Sequence, residues 1–156
     1  MGIDSRLKLL GKISDNQIVS IIKEVLGVDA VSEVKTEKHS KLDDLDFPFR
    51  NYGDEDYWYG IYGYITFEYN GEKRMMFYSY SNINVYENID YYKNIENIFP
   101  DRKGIVKMIK SETTSLSLGT WGYAVEILEK IAKKFGGWLD ENDCDEIPYR
   151  YVEREE

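Results

Sequence analysis

The dipeptide Asn70-Gly71 restricts the fold of this chain more than any other feature of its sequence. Asn-Gly is the preferred pair in two-residue type I′ hairpin turns, because both central residues of that turn adopt positive φ. The flanking segments, YGIYGYITFEY and EKRMMFYSYS, are rich in aromatic and β-branched residues, which favours strands. The sequence therefore predicts an antiparallel hairpin over residues 59–81, in which Tyr69 faces Glu72 and Ile65 faces Met76.

The predicted register divides the hairpin into two faces, and neither face is plainly polar. One face carries Ile61, Ile65, Phe67, Met76, Tyr78 and Tyr80, and the other carries Tyr62, Tyr64, Thr66, Met75 and Phe77. We expect one face to pack against helices and the other to be covered by a loop or presented to a partner. The many aromatic residues of this part of the chain indicate either a binding surface or a small core filled with tyrosine.

Two amphipathic helices are predicted, one near each end of the chain. Ser14 and Gln17 form a capping-box pattern at the start of the first helix, and Gly27 ends it. The second helix is predicted to start near Thr120 and to end at Gly136. Its apolar stripe comprises Trp121, Val125, Leu128, Ala132 and Phe135.

The remaining segments complete an α+β pattern. Residues 30–37, 83–88, 104–119 and 147–153 are predicted strands, residues 138–139 a short strand, and residues 90–99 a short helix. Residues 39–56 are predicted to form a long acidic loop. A chain of 156 residues suits one domain. We therefore expect a single α+β domain over residues 1–156, with a mostly antiparallel sheet and a helix near each end packed on it.

The chain has a net charge of −9, and its acidity is concentrated in two segments. Residues 43–57 hold six acids and one arginine, and residues 140–156 hold eight acids and two arginines. Acidic patches repel phosphate backbones and attract basic protein surfaces, whereas the alternative is that both segments are solvated loops. The candidate binding residues are Asp43, Asp44, Asp46, Asp54, Glu55, Asp56, Tyr57, Trp58, Asp140, Glu141, Asp143 and Asp145.

The acidic turn that follows the second helix does not match a regular metal site. The EF-hand pattern fails whether the count starts at Asp140 or at Glu141. An irregular site for a divalent cation on Asp140, Asp143 and Asp145 remains an alternative. A structural turn is the simpler interpretation, because glycines end the helix and Asp and Asn side chains reverse the chain. We therefore predict no metal ligands and no cofactor.

The sequence lacks the patterns of common enzymes. Its one histidine, His39, and its one cysteine, Cys144, lie in no local signature of a nucleophilic enzyme. Glycine-rich phosphate loops are absent and the basic residues are scattered, so direct nucleic-acid binding is not expected. Without a long apolar run or a signal-peptide pattern, we expect no membrane association and residence in the cytoplasm.

Four short elements stand out in the last part of the chain: Trp121-Gly122, Glu126-Ile127, the run at 135–138 and the run at 142–145. With them, residues 114–146, about a fifth of the chain, resemble the C-terminal part of small uncharacterised proteins carried by phages and mobile elements. The resemblance implies an accessory protein that acts inside a bacterial cell, and it assigns no role to any residue. By analogy, an acidic accessory protein disables a host defence enzyme by occupying its basic nucleic-acid groove.

Together these features predict a non-catalytic acidic binding protein, an accessory inhibitor that engages a basic, nucleic-acid-handling host protein. Two alternatives stay open. One is an immunity protein that masks a nuclease toxin. The other is a hydrolase that depends on a divalent metal held by the acids of residues 140–145. The sequence gives no indication of the oligomeric state.

Overall fold

The computed structural model of the protein describes residues 4–39, 60–81, 89–119, 123–141 and 149–155. The strands are β1 (Ser5–Leu10), β2 (Val31–His39), β3 (Gly60–Tyr69), β4 (Glu72–Ser81), β5 (Thr113–Leu118), β6 (Gly137–Asp140) and β7 (Arg150–Val152). The helices are α1 (Asp15–Leu26), α2 (Ile89–Ile98), α3 (Ile105–Lys110) and α4 (Tyr123–Phe135), and a 3-10 turn covers Pro100–Arg102. The predicted α+β class is confirmed.

The strands form one seven-stranded sheet in the order β2-β3-β4-β5-β1-β6-β7. Every neighbouring pair is antiparallel. Strand β1 lies between β5 and β6, so that Lys8 is opposite Ser115 on one side and Trp138 on the other. Residues from the start of the chain therefore form an interior strand of the sheet.

The predicted hairpin is present with the predicted register. Tyr69 is opposite Glu72 and Ile65 is opposite Met76. The turn residues Asn70 and Gly71 have φ values of 52° and 78°, as a type I′ turn requires. The register places Ile65, Phe67, Met76, Tyr78 and Tyr80 on the buried face, as predicted.

Helices α1 and α4 cover that face of the sheet and form the main core with it. The predicted capping box is present: Ser14 Oγ accepts a hydrogen bond from the backbone N–H of Gln17, and Gln17 Oε1 accepts one from the backbone N–H of Ser14. The main core comprises Leu7, Leu9, Ile18, Ile22, Ile65, Phe67, Met76, Tyr78, Leu116, Ile127, Leu128, Ile131 and Leu139, among others.

A second, smaller core lies on the opposite face, over β6 and β7. Here α3 packs on Trp138, which is 4% exposed, through Ile105, Met108 and Ile109. The indole Nε1 of Trp138 donates a hydrogen bond of 2.9 Å to the carbonyl of Lys103. Gly104 has a φ of +77°, and a Cβ there would lie 2.9 Å from the indole ring, so this approach requires glycine. Trp138 is therefore buried against α3.

The structure differs from the predicted elements in three respects. First, strand β1 was not predicted. The predicted strand over 104–119 is a helix followed by a strand, because the apolar spacing of Ile105, Met108 and Ile109 is that of one helical face. The buried side of α4 is carried by Ala124, Ile127, Leu128, Ile131 and Ala132, so the predicted stripe is displaced around the helix. The strand predicted at 83–88 and the residue Trp121 lie outside the described residues.

Candidate binding site on the open sheet face

Most of the predicted binding residues lie outside the described part of the chain. These are Asp43, Asp44, Asp46, Asp54, Glu55, Asp56, Tyr57, Trp58, Asp143 and Asp145. Their role stays a prediction. The two predicted binding residues that the structure describes are Asp140 and Glu141, at the end of β6.

Asp140, which the sequence predicted as a binding residue, is buried. It is 7% exposed and lies opposite Arg6 in the sheet register. Glu141 is only half-buried, and its carboxylate accepts a long hydrogen bond of 3.4 Å from Arg150. Its backbone carbonyl accepts a 2.6 Å hydrogen bond from the hydroxyl of Ser5. The contacts of Glu141 therefore hold the end of β6 in place, and of the two residues only Glu141 is accessible to a partner.

The two acidic segments are attached to opposite ends of the sheet. His39 and Gly60, which flank the first segment, pair with each other in the row that continues through Ser81 to Thr113. Asp140 ends β6 at the other end of the sheet, near Ser5, whose partner is Leu118. The anchors of the two segments are also separated across the sheet, because β2 and β3 lie on one side and β6 lies near the other.

The face of the sheet opposite α1 and α4 is left open by the described helices across β3, β4 and β5 and is bordered by β1. We call this surface the open face. It comprises Arg6, Lys8, Tyr62, Tyr64, Met75, Phe77, Ser79, Ser115 and Ser117. Tyr64 is 44% exposed and Met75 is 57% exposed, although both lie within strands. Tyr64 and Phe77 form a tilted ring pair with centroids 5.4 Å apart.

An open pocket of about 540 Å³ is centred on this face. Tyr64, Phe77 and Met75 line one side of it, and Arg6, Lys8 and the three serines line the other. Asp4 and Gly119 lie at one end. A second depression of about 290 Å³ adjoins it, shares Tyr64 and Phe77, and extends to Lys35 and Glu37 on the edge strand. The open face thus combines an aromatic half with a cationic, hydroxyl-rich half.

Lys8 is the most perturbed basic residue of the open face. Its Nζ donates a 2.6 Å hydrogen bond to the hydroxyl of Ser115, directly across the β1–β5 pair. Burial, and then the neighbouring charge of Arg6, lower the pKa of Lys8 to about 8. A perturbed pKa in a concave site marks a candidate functional residue.

Arg6 connects the pocket to the second core. Its charge acts on Tyr149, whose pKa is raised to about 12, first by burial and then by the charge of Asp140. Tyr149 itself has a φ of 60°, a conformation that non-glycine residues seldom adopt. Burial and the charges of Tyr91 and Asp140 also raise the pKa of Tyr92.

The Lys8–Ser115 pair has the composition of a nucleophile with its base, but the backbone around it does not support acyl transfer. Such a reaction needs backbone or side-chain N–H donors that face the developing oxyanion. Ser115 lies in β5, between β4 and β1, where the strand ladders on both sides use the backbone N–H groups. The arrangement is better suited to binding an anion through Lys8, Arg6 and the serine hydroxyls.

Sequence reasoning missed Arg6, Lys8 and Ser115. One signal was present: Arg6 and Lys8 alternate with Leu7 and Leu9, which is the period of a strand with one buried face. Among the described residues, no group of three or more His, Cys, Asp and Glu is placed to hold a metal ion. No described helix has the length and apolar character needed to cross a membrane.

Comparison of the chain with protein-family models, with curated proteins and with solved structures finds no match.

Proposed function

We propose that this protein is a non-catalytic binding protein that docks a basic, nucleic-acid-handling protein on the aromatic half of its open face, formed by Tyr64, Met75 and Phe77, and inhibits it. The observation that carries the proposal is the exposure of Tyr64 and Met75 on a sheet face that the described helices do not cover. Tyrosine, methionine and phenylalanine are enriched in protein interfaces, and rigid strand positions lose little entropy when they bind.

The charge of the chain supports the choice of partner. A net charge of −9 on 156 residues repels nucleic acid and attracts proteins with basic surfaces. Such charges act mainly on the association rate and on rejection of wrong partners, whereas the apolar centre of an interface supplies most of the affinity. In this arrangement Tyr64, Met75 and Phe77 form the centre, and the acidic segments guide the approach. An immunity protein bound to a nuclease toxin would use the same surface.

The proposal is tested by capture of proteins from a bacterial lysate on three immobilised forms of the protein. The first is the wild type, and the second carries Tyr64→Ser and Met75→Ser on the open face. The third carries Val28→Ser and Ile98→Ser, which remove two apolar side chains that are more exposed, at 78% and 67%, and that do not belong to that face. Captured proteins are identified by mass spectrometry at about 50 mM and about 500 mM salt, because charge attraction weakens as screening increases.

We expect the wild type and the Val28/Ile98 control to retain the same basic protein at low salt, and the Tyr64/Met75 variant to lose it. Retention of that protein by all three forms would rule out the open face as the docking surface. Retention of acidic proteins, or of none, would rule out the partner class.

A second experiment examines the predicted acidic residues. In Asp43→Asn, Asp44→Asn and Asp46→Asn combined, we expect association with the captured partner to slow about tenfold or less at low salt, while the dissociation rate changes little. Surface plasmon resonance separates the two rates. An unchanged association rate would show that these acids do not contribute to the encounter.

A further inference from the structure

The charge of Lys8 lies in an electrostatically unfavourable position. Its ammonium group is drawn toward the sheet by Ser115, a neutral partner that satisfies only one of its three N–H donors. Among the described residues, the charged group that shifts its pKa is Arg6, a second cation. Asp140 is opposite Arg6 on β6, whereas Lys8 is opposite the neutral Trp138. Burial of the Lys8 charge beside a second positive charge is unfavourable, and an anion bound next to Lys8 would relieve it.

The geometry around Lys8 suits an oxyanion. Lys8 and Arg6 are two residues apart on one strand, so their side chains point the same way and are separated by roughly 7 Å along β1. Ser115 and Ser117 lie opposite them on β5, and Ser79 is opposite Ser115 on β4. Two cations and three hydroxyls therefore converge on one side of the pocket. Asp4, which precedes β1, is two residues from Arg6 and four from Lys8, and it lies near Gly119 at the Arg6 end of the pocket.

The opposite side of the pocket is aromatic. Tyr64 and Phe77 form their ring pair in the row that continues to Ser117 and Arg6, one row away from Ser115 and Lys8. A planar ring that stacks on Tyr64 would place a substituent toward the cations. The volume of about 540 Å³ is within the range of small-molecule sites.

We propose that the open-face pocket binds a small molecule in which a phosphate or carboxylate group is attached to an aromatic ring. Lys8, Arg6 and Ser115 hold the oxyanion, and Tyr64 and Phe77 contact the ring. The inference does not depend on the docking of a protein partner, because it concerns a ligand that the purified chain binds alone.

The test is a titration of purified ¹⁵N-labelled protein, in a buffer free of phosphate and carboxylate, followed by amide chemical shifts. The probes are phenyl phosphate and benzoate, with inorganic phosphate and acetate as their ring-free counterparts. The variants are Lys8→Met, which keeps the length of the side chain and removes its charge, and Ser115→Ala. The matched control is Lys110→Met, which removes the same charge from an exposed position on α3.

We expect phenyl phosphate to shift the amides of β1, β4 and β5 and to bind more tightly than inorganic phosphate. In Lys8→Met its affinity should fall about tenfold or more, which corresponds to loss of a charge-assisted hydrogen bond. Lys110→Met should change the affinity less than about twofold, since exposed charges contribute little. Ser115→Ala should have an intermediate effect.

Three results would overturn the proposal. One is the absence of saturable shifts with either aromatic probe at about 10 mM, in a protein whose amide spectrum shows it to be folded. Another is equal loss of affinity in Lys8→Met and Lys110→Met, which would reflect net charge alone. Equal affinity for phenyl phosphate and inorganic phosphate would overturn the role of the ring. None of these results bears on capture of a protein partner, so the two proposals fail independently.

Discussion

Strand β1 has two faces with opposite properties. Leu7 and Leu9, both 0% exposed, point into the main core under α1 and α4. Arg6 and Lys8, their direct neighbours, point into the pocket on the open face. Alternation along one strand therefore separates stability from binding: the leucines bury apolar surface, whereas Lys8 keeps a charge in a place where burial disfavours it. We therefore expect substitutions of the leucines to lower the stability of the protein and substitution of Lys8 to affect ligand binding.

The largest effect on the free energy of unfolding is expected at Trp138, where α3 covers the face of the sheet that carries Lys8. Trp138 lies on the same face as Lys8, one strand away, but α3 buries it. Trp138→Ala should lower the free energy of unfolding by about 3–5 kcal/mol, because it leaves a cavity and an unpaired carbonyl at Lys103. Urea denaturation measures the change, and Trp138→Phe, which keeps most of the ring, is the control with a smaller loss. A cost below about 1 kcal/mol would mean that α3 does not form a real second core.

Leu7→Ala should destabilise the protein by about 2–5 kcal/mol. Leu7 is buried between the sheet and the helices, and the hydrophobic contacts it loses cannot be replaced by water. The same urea titration gives the value. A Leu7→Ala variant as stable as the wild type would contradict the assignment of this face to the core.

Lys8→Met should raise the free energy of unfolding, whereas Leu7→Ala lowers it. Without ligand, at pH 7, it should stabilise the protein by about 1–3 kcal/mol, because it removes a charge whose pKa is lowered to about 8 and keeps the aliphatic chain. Stabilisation on removal of a residue is typical of positions kept for binding. If Lys8→Met is instead destabilising by more than about 1 kcal/mol, Lys8 serves the fold and not a ligand.

The unfavourable burial of the Lys8 charge should also affect how the stability of the protein depends on pH. The pKa of Lys8 is about 8 in the folded protein and 10.5 in the unfolded chain. Between these values the unfolded chain binds more protons, so the stability should rise with pH, by about 2 kcal/mol from pH 8 to pH 10. Above pH 10 the sign reverses, because Tyr78 and Tyr149 have pKa values raised to about 12 and the folded protein then binds more protons.

Urea midpoints at pH 7.5, 9, 10 and 11 test this profile. The wild type should show a maximum near pH 10. The Lys8→Met variant should lose the rise and keep the fall. A rise of equal size in both proteins would assign it to another group.

The smallest effect on stability is expected at Tyr64. Because its side chain is 44% exposed on the open face, Tyr64→Ser should change the free energy of unfolding by no more than about 0.5–1 kcal/mol. Thermal denaturation measures it beside ligand or partner binding. A large loss of stability would indicate that Tyr64 supports the sheet and is not reserved for recognition.

The sequence was sufficient for features that depend on neighbours along the chain. The Asn70-Gly71 turn sets the register of ten residues on each side, and the capping box marks the start of α1. Both are decided by short-range geometry, so residue type and spacing predict them. The division of the hairpin into two faces followed from the register, but which face would be open did not.

The candidate site depends on residues far apart in sequence, and therefore it was not predicted. Lys8 and Ser115 are brought together by the insertion of β1 between β5 and β6, which no local pattern encodes. The burial of Asp140 has the same origin, because it follows from the pairing of β6 with β1. A pattern of alternating leucine and basic residues indicates a strand, but it does not identify the strand's partners.

The position of β1 between β5 and β6 also determines when the sheet can form during translation. Its partners, residues 113–118 and 137–140, leave the ribosome more than a hundred residues after β1 itself. At roughly 5–20 residues per second, Leu7 and Leu9 wait on the order of 5–20 s before they can be covered. The hairpin can form long before then, because its pairing is local. The pocket that Lys8 and Ser115 share is thus among the last parts of the molecule to be assembled, and a nascent chain that stalls before β5 has an aromatic hairpin but no anion site.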